Sequence, residues 1–408
     1  SSSSAASDVY KRQDEDRLKQ LFDGARQVGA ELFLLDDGWF GNGPYSRDDD
    51  KHGLGDWDPS TKKLPKGLSY IAKEALKRKV GFGIWLEPEM VNPQSELYQK
   101  HPDWIITQSK REPILGRHQE ILDLTRPEVQ AFEWDIIDKT LRPNPDITYV
   151  KWDCNRYITQ PGSSYLQPAD QSHLWIDYNR ALYRLMDRFA KGFPNVMAML
   201  CAGGSGRVDY GAMPYFHSFW PSDNTDPLGR IKIQWGFSHF FPANTISAHV
   251  TRMGKRHLKM AIDVALSGAF GIDLALDKAT AEERAQIADA VKLYKERIRP
   301  LVMHGELYRL VSPYESPLAS LSYVSTDKQK AVVYFYQTKD GNEPRVMLGG
   351  LDAQKKYRVE EVSLAKGVTS RFPANGKVFT GAELMEKGLE NPLNTQFESA
   401  VLILVANN

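Results

Sequence analysis

Three acidic clusters in the sequence carry side chains that could do carboxylate chemistry. They are Asp36-Asp37, the Lys151–Arg156 segment KWDCNR and the Trp220–Pro227 segment WPSDNTDP, and each follows an apolar run typical of a buried strand. In an eight-fold α/β barrel the active site lies at the C-terminal ends of the strands, where residues from several strands converge. The three clusters therefore predict a carboxylate-based active site on such a barrel.

The middle cluster places a charged pair on one strand. Lys151, Asp153 and Asn155 alternate along it and so share one face, which in a barrel is the interior. A nearby positive charge favours the ionised carboxylate, so Lys151 would hold Asp153 ionised, as a nucleophile must be. The alternative is a structural ion pair at the barrel mouth, and the residues alone leave both interpretations open.

The third cluster offers a carboxyl of a different kind. Asp223 follows an aromatic-rich strand and has other acids close by, and apolar neighbours and like charges both raise the pKa of a carboxyl group. A protonated Asp223 would be a general acid. The alternative is a helix N-cap before Pro227, for which Asp226 is the better candidate. One ionised and one protonated carboxyl from different strand ends meet the requirement for glycoside hydrolysis.

Other residues near the strand ends could bind the hydroxyl groups of a sugar. Asp36 and Asp37 could each accept a hydroxyl hydrogen bond, with a metal site or a loop cap as alternatives. Trp85, on a predicted strand, could lie under a sugar ring or belong to the core. The glycines after Cys201 lack the Lys-Ser/Thr of a phosphate loop and would let a ligand approach the backbone.

Metal binding is the main rival chemistry. His217, His239 and His249 lie near strand ends, but no His-x-His or His-Glu-x-x-His pairing occurs in the sequence. Glu87 and Glu89 are expected instead to support neighbouring groups or to form ion pairs. We therefore predict neither a catalytic metal nor a cofactor.

Composition excludes several other classes of protein. Lys and Arg number 52 and are balanced by 52 Asp and Glu, whereas nucleic-acid-binding proteins usually carry a basic surplus. No apolar run is long enough to predict a membrane span. Two cysteines exclude a disulfide framework, and no signal-peptide pattern is visible, so a cytoplasmic location is expected.

The elements that must position these residues follow from the pattern of apolar residues. Helices alternate with seven predicted strands: 31–36, 81–87, 147–153, 196–200, 217–220, 245–249 and 270–274. Alternation of this kind predicts a parallel sheet with helical crossovers. A closed barrel needs eight strands, and because the chain enters on a helix we expect the first strand to be missing.

The predicted fold class is therefore α/β, a (β/α)8 TIM-type barrel followed by a C-terminal antiparallel β-sandwich. Residues 1–13, which begin with a Ser run, are expected to be an unstructured or foreign tail. The barrel is predicted over residues 14–304. Short β-type runs separated by turn residues predict the sandwich over residues 305–408.

From about Asp16 to the C-terminus the sequence resembles the α-galactosidases of glycoside hydrolase family 36. The segments that carry the resemblance are LFLLDDGWFG, LGDW, GIWLEPEMV, LDLTRPEV, YVKWDCNR, CAGGSGRVDYG and WPSDNTDP. The resemblance implies a retaining enzyme whose barrel is preceded by a β-supersandwich and followed by a β-sandwich. It also implies that full-length relatives form homo-oligomers.

The resemblance assigns a role to each site residue. Asp153 would be the nucleophile and Asp223 the acid/base, while Asp36 and Asp37 would bind the galactose 4- and 6-hydroxyls. The remaining residues of the galactose pocket would be Trp85, Arg117, Lys151, Asn155, Cys201, Gly204 and Trp220. The expected substrates are α-galactosides such as melibiose and raffinose.

We expect the sequence to depart from the family at its front, where the family's N-terminal domain and first strand would be missing. The alternatives are therefore an inactive sugar-binding fragment, or an α-N-acetylgalactosaminidase or galactosyl transferase of the same family. Cys201 and its glycines favour plain galactose, because a 2-acetamido group needs more room.

Overall fold

The structure, a computed structural model, describes residues 14–253 and 257–407. The tail predicted over residues 1–13 lies outside these residues. The chain forms two compact units, one ending at Trp220 and the other beginning at Pro221, and each is described by itself. The predicted boundary at residues 304/305 stays a prediction.

A parallel sheet forms the centre of the first unit. In chain order its strands are β1 (Leu32–Leu35), β2 (Gly81–Leu86), β3 (Met90–Val91), β4 (Glu120–Ile121), β5 (Ile147–Trp152), β6 (Met197–Leu200) and β7 (Ser218–Phe219). The sheet order is β1-β2-β5-β6-β7, and β3 and β4 form a separate antiparallel pair. All four pairings of the larger sheet are parallel. Residues that follow its strands therefore meet at one edge.

Amphipathic helices connect these strands. They are α1 (Glu15–Gln27), α2 (Gly67–Lys77), α3 (Glu96–Lys100), α4 (Pro127–Leu141) and α5 (Leu174–Gly192). Helix α1 is capped by Asp14, whose side chain accepts the N–H of Arg17 at 2.8 Å. The chain leaves the helix at Gly29, where φ is +80°. Its buried Phe22 packs edge-on against Phe82 of β2, so the apolar stripe of the helix covers the sheet.

The second unit begins with the same alternation. Its elements are α6 (Pro227–Phe237), β8 (Ser247–Val250), α7 (Leu258–Ala265), β9 (Ala269–Ile272), α8 (Ala281–Leu293) and α9 (Arg299–His304). Strands β8 and β9 pair in parallel, with Ser247 opposite Ala269. All seven predicted strands are thus present, with ends that differ from the prediction by one or two residues.

An antiparallel sheet completes the second unit. Its elements are β10 (Glu306–Val311), β11 (Leu318–Val324), β12 (Lys330–Gln337), β13 (Arg345–Val346), β14 (Lys356–Glu361), β15 (Val378–Thr380), α10 (Gly381–Glu386), β16 (Leu389–Glu390) and β17 (Ser399–Asn407). The order is β10-β11-β12-β17-β14-β15, and β13 pairs with β16. Strands β10, β15 and β16 and helix α10 were not predicted; β15 and β16 are too short to show a period of two.

Three buried tyrosines join helix α7 to this sheet inside the second unit. The hydroxyls of Tyr323, Tyr334 and Tyr336 donate to backbone carbonyls between residues 263 and 267, at 2.7, 2.8 and 3.0 Å. The last carbonyls of a helix have no partner within the helix, so buried ones need such donors. Across residues 14–253 and 257–407, every helix is too short or too polar to cross a membrane.

Candidate active site

Asp153 follows strand β5 directly and is buried at the C-terminal edge of the parallel sheet. Its backbone N–H donates to the carbonyl of Leu86 at 2.7 Å, which extends the pairing of β5 with β2. Carboxylate oxygen Oδ2 accepts a hydrogen bond from Trp85 Nε1 at 3.0 Å. Oδ1 accepts the N–H groups of Cys154 at 2.8 Å and Gly203 at 3.4 Å. Donors from three strand ends therefore hold the carboxylate in one orientation.

Opposing effects set the charge of Asp153. Burial by itself would raise the pKa of the carboxyl group, but the charge of Lys151 lowers it, and hydrogen bonds from Trp85 and Asn155 lower it further. The net pKa lies below the ordinary value, so Asp153 is ionised at neutral pH. Lys151 Nζ also lies 3.0 Å from Asp36 Oδ2. One partly buried lysine thus faces both carboxylates. The alternation along the strand predicted its place beside Asp153 but not its pairing with Asp36.

Trp85 belongs to a cluster of aromatic rings at the same strand ends. Its ring stacks on Phe40 with 6.1 Å between centroids, and Trp57 lies at 6.0 Å. Trp39 Nε1 donates to the carbonyl of Trp85 at 3.0 Å. Because Trp85 is only 2% exposed, its contact with the site is the hydrogen bond to Asp153. Its role under a sugar ring stays a prediction.

The neighbours Asp36 and Asp37 have different surroundings. Asp36 is partly exposed and accepts the N–H of Asp37 at 2.8 Å, besides pairing with Lys151. Asp37 is buried, and its two oxygens accept from Arg47 Nε at 3.0 Å and Nη2 at 2.7 Å. Asp37 is thus half of a buried bidentate ion pair that sequence reasoning missed. Each carboxylate oxygen can accept a second hydrogen bond, so the sugar contacts of both acids stay predictions.

Replacing Arg47 by methionine is expected to destabilise the protein by roughly 3–5 kcal/mol, because Asp37 would keep its buried charge and lose its partner. Lysine at this position is expected to recover only part of the loss, since an ammonium group cannot match the bidentate geometry. Urea unfolding of both variants measures the effect. Equal midpoints for the methionine variant and the wild type would contradict it.

The segment after β6 turns backbone groups towards Asp153. Gly203 and Gly204 have φ values of +56° and +98°, in the region that favours glycine, and this turn directs the Gly203 N–H to Asp153. Cys201 is 1% exposed and packs in a small cluster with Trp220. Cys201, Gly204 and Trp220 therefore lie at the strand ends where they were expected, and their sugar contacts stay predictions.

Arg117 lies on the loop that leads into strand β4. Its φ is +52° and that of His118 is +60°, a left-handed conformation that is uncommon for residues other than glycine. The Arg117 side chain is 40% exposed, with Nη2 3.9 Å from Asp50 Oδ1. The guanidinium is accessible to a ligand, and its role in the pocket stays a prediction.

A buried ion pair supports the main chain of Asp153. Arg207 Nη1 donates to Glu89 Oε1, and Arg207 Nη2 donates to the carbonyl of Asp153 at 3.1 Å. Glu89 also accepts from Trp152 Nε1 at 3.1 Å and from the Tyr178 hydroxyl at 2.7 Å. The expected ion pairing of Glu89 is confirmed. This role of Arg207 was not predicted. The one feature of the sequence that could have indicated it is the position of Arg207 directly after the glycine-rich turn.

Asp223 lies at the start of the second unit, on the exposed segment that leads into helix α6. Arg230 is buried and donates to the carbonyl of Ser222 at 3.0 Å; burial lowers the pKa of Arg230 to about 10, and the charge of Asp223 opposes that shift. Asp226 accepts the N–H of Gly229 at 3.2 Å, which confirms it as the predicted N-cap. The protonation of Asp223 stays a prediction.

Two family models match the chain. The melibiase model matches residues 6–305, and the model of the glycosyl hydrolase family 36 C-terminal domain matches residues 318–404. α-Galactosidase AgaA of Geobacillus stearothermophilus is 39% identical over 388 residues, which cover 93% of this chain and 50% of that protein. α-Galactosidase 1 of Pediococcus pentosaceus is 36% identical over 389 residues, with 93% and 50% covered. The chain spans about half the length of these relatives.

Solved structures match over almost the whole chain. The crystal structure of GH36 α-galactosidase AgaA from Geobacillus stearothermophilus matches with a TM-score of 0.89 at 38% identity and covers 98% of this chain and 54% of that one. The α-galactosidase from Lactobacillus brevis matches with a TM-score of 0.90 at 33% identity, with 98% and 54% covered. These matches confirm the predicted fold class, a TIM-type α/β barrel followed by an antiparallel β-sandwich.

Proposed function

This chain belongs to the melibiase family of glycoside hydrolases, and from that premise we propose that it hydrolyses terminal α-D-galactosyl residues of melibiose- and raffinose-type oligosaccharides. The observation that carries the proposal is the surroundings of Asp153, a buried and ionised carboxylate held by three donors. A retaining glycosidase needs such a carboxylate as nucleophile and a second carboxyl as acid/base. We assign the second role to Asp223.

Two complexes of a relative support this assignment. Structures of AgaA variants contain raffinose and stachyose, one with an aspartate replaced by asparagine and the other with a different aspartate replaced by alanine. Those two aspartates are separated in AgaA by the same number of residues as Asp153 and Asp223 are here. The equal spacing favours these two residues as the pair of catalytic carboxyls.

The proposed reaction has two steps. In the first, a carboxylate oxygen of Asp153 bonds to the anomeric carbon while the glycosidic bond breaks and Asp223 gives its proton to the leaving oxygen. In the second, Asp223 takes a proton from water, whose oxygen bonds to the anomeric carbon as the ester to Asp153 breaks. Two inversions return the α configuration. The donors Trp85 and Gly203 would stabilise the departing Asp153 carboxylate.

In this proposal the polar groups at the strand ends recognise galactose. Asp36 and Asp37 accept the 4- and 6-hydroxyls, and their partners Lys151 and Arg47 hold both carboxylates in position. The tight packing of Cys201 supports galactose over N-acetylgalactosamine, because a 2-acetamido group needs open space. The other residues proposed to contact galactose are those that the family resemblance implies, namely Trp85, Arg117, Asn155, Gly204 and Trp220.

We also infer that the protein acts in the cytoplasm and that its full-length form is a homo-oligomer. Cys154 and Cys201 are thiols and not a disulfide pair, as is usual in reducing compartments. The oligomer is inferred from the family alone. Light scattering of the full-length protein tests it, and a monomeric mass would contradict it.

The deciding experiment is hydrolysis of p-nitrophenyl α-galactoside, and of raffinose, by two proteins. One is this chain, and the other is this chain joined to the part of AgaA that the match does not cover. We expect turnover by at least the joined protein, with the α-anomer of galactose as the first product. Cleavage of p-nitrophenyl α-N-acetylgalactosaminide alone, or a β-anomer product, would contradict the proposal.

Replacing Lys151 by methionine is expected to move the acid limb of the kcat/KM profile towards neutral pH. Lys151 lowers the pKa of Asp153 against the effect of burial, so without that charge the pKa rises and Asp153 is protonated at a higher pH. The profile should be measured with p-nitrophenyl α-galactoside. An acid limb at the wild-type position would show that Lys151 does not control the charge of Asp153.

A further inference from the structure

Glu87 is a fully buried carboxyl group at the end of strand β2. Its Oε1 accepts the backbone N–H of Asn155, and its Oε2 lies 3.2 Å from Gln119 Nε2. The side chain of Asn155 in turn hydrogen-bonds the Asp153 carboxylate. Glu87 therefore links the end of β2 both to the segment that carries Asp153 and to the loop that carries Arg117.

We propose that Glu87 is a positioning residue for the reaction of Asp153, and that it acts as a neutral, protonated carboxyl. The effect that we expect Glu87 to have on turnover rests on the proposed function. Holding the main chain of Asn155 fixes the side chain that bonds Asp153. A neutral Glu87 does so without placing a second negative charge beside Asp153.

The charges that face Glu87 come from several elements. Burial contributes most to raising its pKa, and the negative charges of Asp153 and Asp37 raise it further, whereas Arg117 lowers it; the outcome is about 8. The thiol of Cys154 also faces this carboxyl, and burial raises the pKa of that thiol, so it is uncharged. Glu87 is therefore protonated from acidic to neutral pH and ionises at mildly alkaline pH.

Gln119 can serve either protonation state of Glu87. Its Oε1 is buried and has no hydrogen-bond partner among the described residues. A 180° rotation of the Gln119 amide group exchanges the positions of its oxygen and nitrogen. The oxygen then accepts a hydrogen bond from the protonated carboxyl group of Glu87. In the unrotated orientation the amide nitrogen donates to an ionised Glu87. The oxygen that lacks a partner thus gains one when Glu87 is protonated.

Ionisation of Glu87 should disturb the site in two ways. It places a second buried negative charge beside Asp153, and it attracts the guanidinium of Arg117, which the proposed function assigns to the galactose pocket. Both effects weaken the arrangement that binds and attacks the sugar. The structure therefore predicts a loss of kcat/KM above about pH 8 that originates in Glu87.

The test compares Glu87→Gln with the wild type on 2,4-dinitrophenyl α-galactoside, whose leaving group needs no proton, so that Asp223 does not set the alkaline limb. The amide oxygen of glutamine still accepts the Asn155 N–H but cannot ionise. Between pH 7 and pH 9 we expect kcat/KM to fall roughly tenfold for the wild type and less than about threefold for Glu87→Gln, as for one group titrating at its pKa. The same fall in both proteins would overturn the proposal.

Glu87→Leu tests the hydrogen bond. Leucine keeps the site filled and removes the acceptor for Asn155, so kcat should fall at least about tenfold with a smaller change in KM, as when an interaction with the reacting arrangement is lost. Circular dichroism establishes that the variant is folded. Wild-type kcat in a folded Glu87→Leu variant would overturn the positioning role.

Infrared spectroscopy gives a readout that needs no turnover. The difference spectrum of wild type minus Glu87→Gln should show the C=O band of a protonated carboxyl at neutral pH, and the band should vanish by about pH 9 as the group ionises. Glu133 is the matched control: it is buried, and burial raises its pKa well above the ordinary value, so Glu133→Gln should remove a separate band and leave the kcat/KM profile unchanged.

The two failures are distinguishable. If no galactoside is cleaved by the wild type, the proposed function fails, and the infrared spectra still decide the state of Glu87. Absence of the Glu87 band at neutral pH would overturn the inference even in an active enzyme.

Discussion

Asp153→Asn is expected to lower kcat for α-galactoside hydrolysis by roughly 10⁴-fold or more, since an uncharged amide cannot form the glycosyl ester. The fold should survive with a modest loss of stability. Both oxygens of Asp153 accept hydrogen bonds, so the amide nitrogen of asparagine must face a donor, at a cost of about 1–3 kcal/mol. Single-turnover kinetics and thermal unfolding measure the two effects.

The nucleophilic role can be separated from mere damage to the site. Asp209→Asn is a matched control in the first unit, because this exposed carboxylate bonds the Tyr183 hydroxyl at 2.8 Å and should leave kcat unchanged. In Asp153→Ala, azide can enter the space of the lost carboxylate. The expected product is then β-galactosyl azide, formed by one inversion. Full activity of Asp153→Asn, or an α-azide from Asp153→Ala, would contradict the assignment.

Asp223→Ala is expected to lose activity in proportion to the basicity of the leaving group. Raffinose needs a proton on its leaving oxygen, so kcat/KM should fall about 10²–10⁴-fold. For 2,4-dinitrophenyl α-galactoside, which needs none, kcat/KM should change little. With this substrate, kcat and KM of Asp223→Ala should fall together. The reason is that hydrolysis of the glycosyl-enzyme also lacks its base, so this intermediate accumulates. Rapid-quench kinetics would detect that intermediate as a burst.

Asp226→Ala is the matched control for Asp223, three residues away on the same segment. Asp226 caps helix α6 through the N–H of Gly229, so its loss should lower stability by about 0.5–2 kcal/mol without any dependence on the leaving group. Azide added to Asp223→Ala should give α-galactosyl azide, because the Asp153 ester is still formed and then displaced. Equal losses on raffinose and on the dinitrophenyl substrate would rule out an acid role for Asp223.

The strands that alternate with helices and the residues at their ends were predictable from the sequence. Their apolar runs are short and bounded by turn residues, and side chains alternate along a strand by steric necessity. Because that alternation is local, the order of residues alone places Lys151, Asp153 and Asn155 on one face. Asp226 could likewise be identified as a helix cap, because the side chain of an N-cap accepts a backbone N–H only three residues along the chain.

The partners that lie far from the site carboxyls in sequence came only from the tertiary structure. Glu89 meets Arg207 from 118 residues away in the chain, and no local pattern encodes that pairing. Nothing adjacent in sequence marks Arg47 as the partner of Asp37.

The sequence by itself thus determined the alternation of the seven predicted strands with helices and which acids follow those strands. The tertiary structure decided which of those acids are buried, paired or protonated. Periodicity depends on neighbours a few residues apart, whereas desolvation and ion pairing depend on every segment that folding brings around a group. Asp153 and Glu87 show the difference, because both are buried carboxyls at strand ends, yet Lys151 keeps the first ionised and burial beside Asp153 keeps the second neutral.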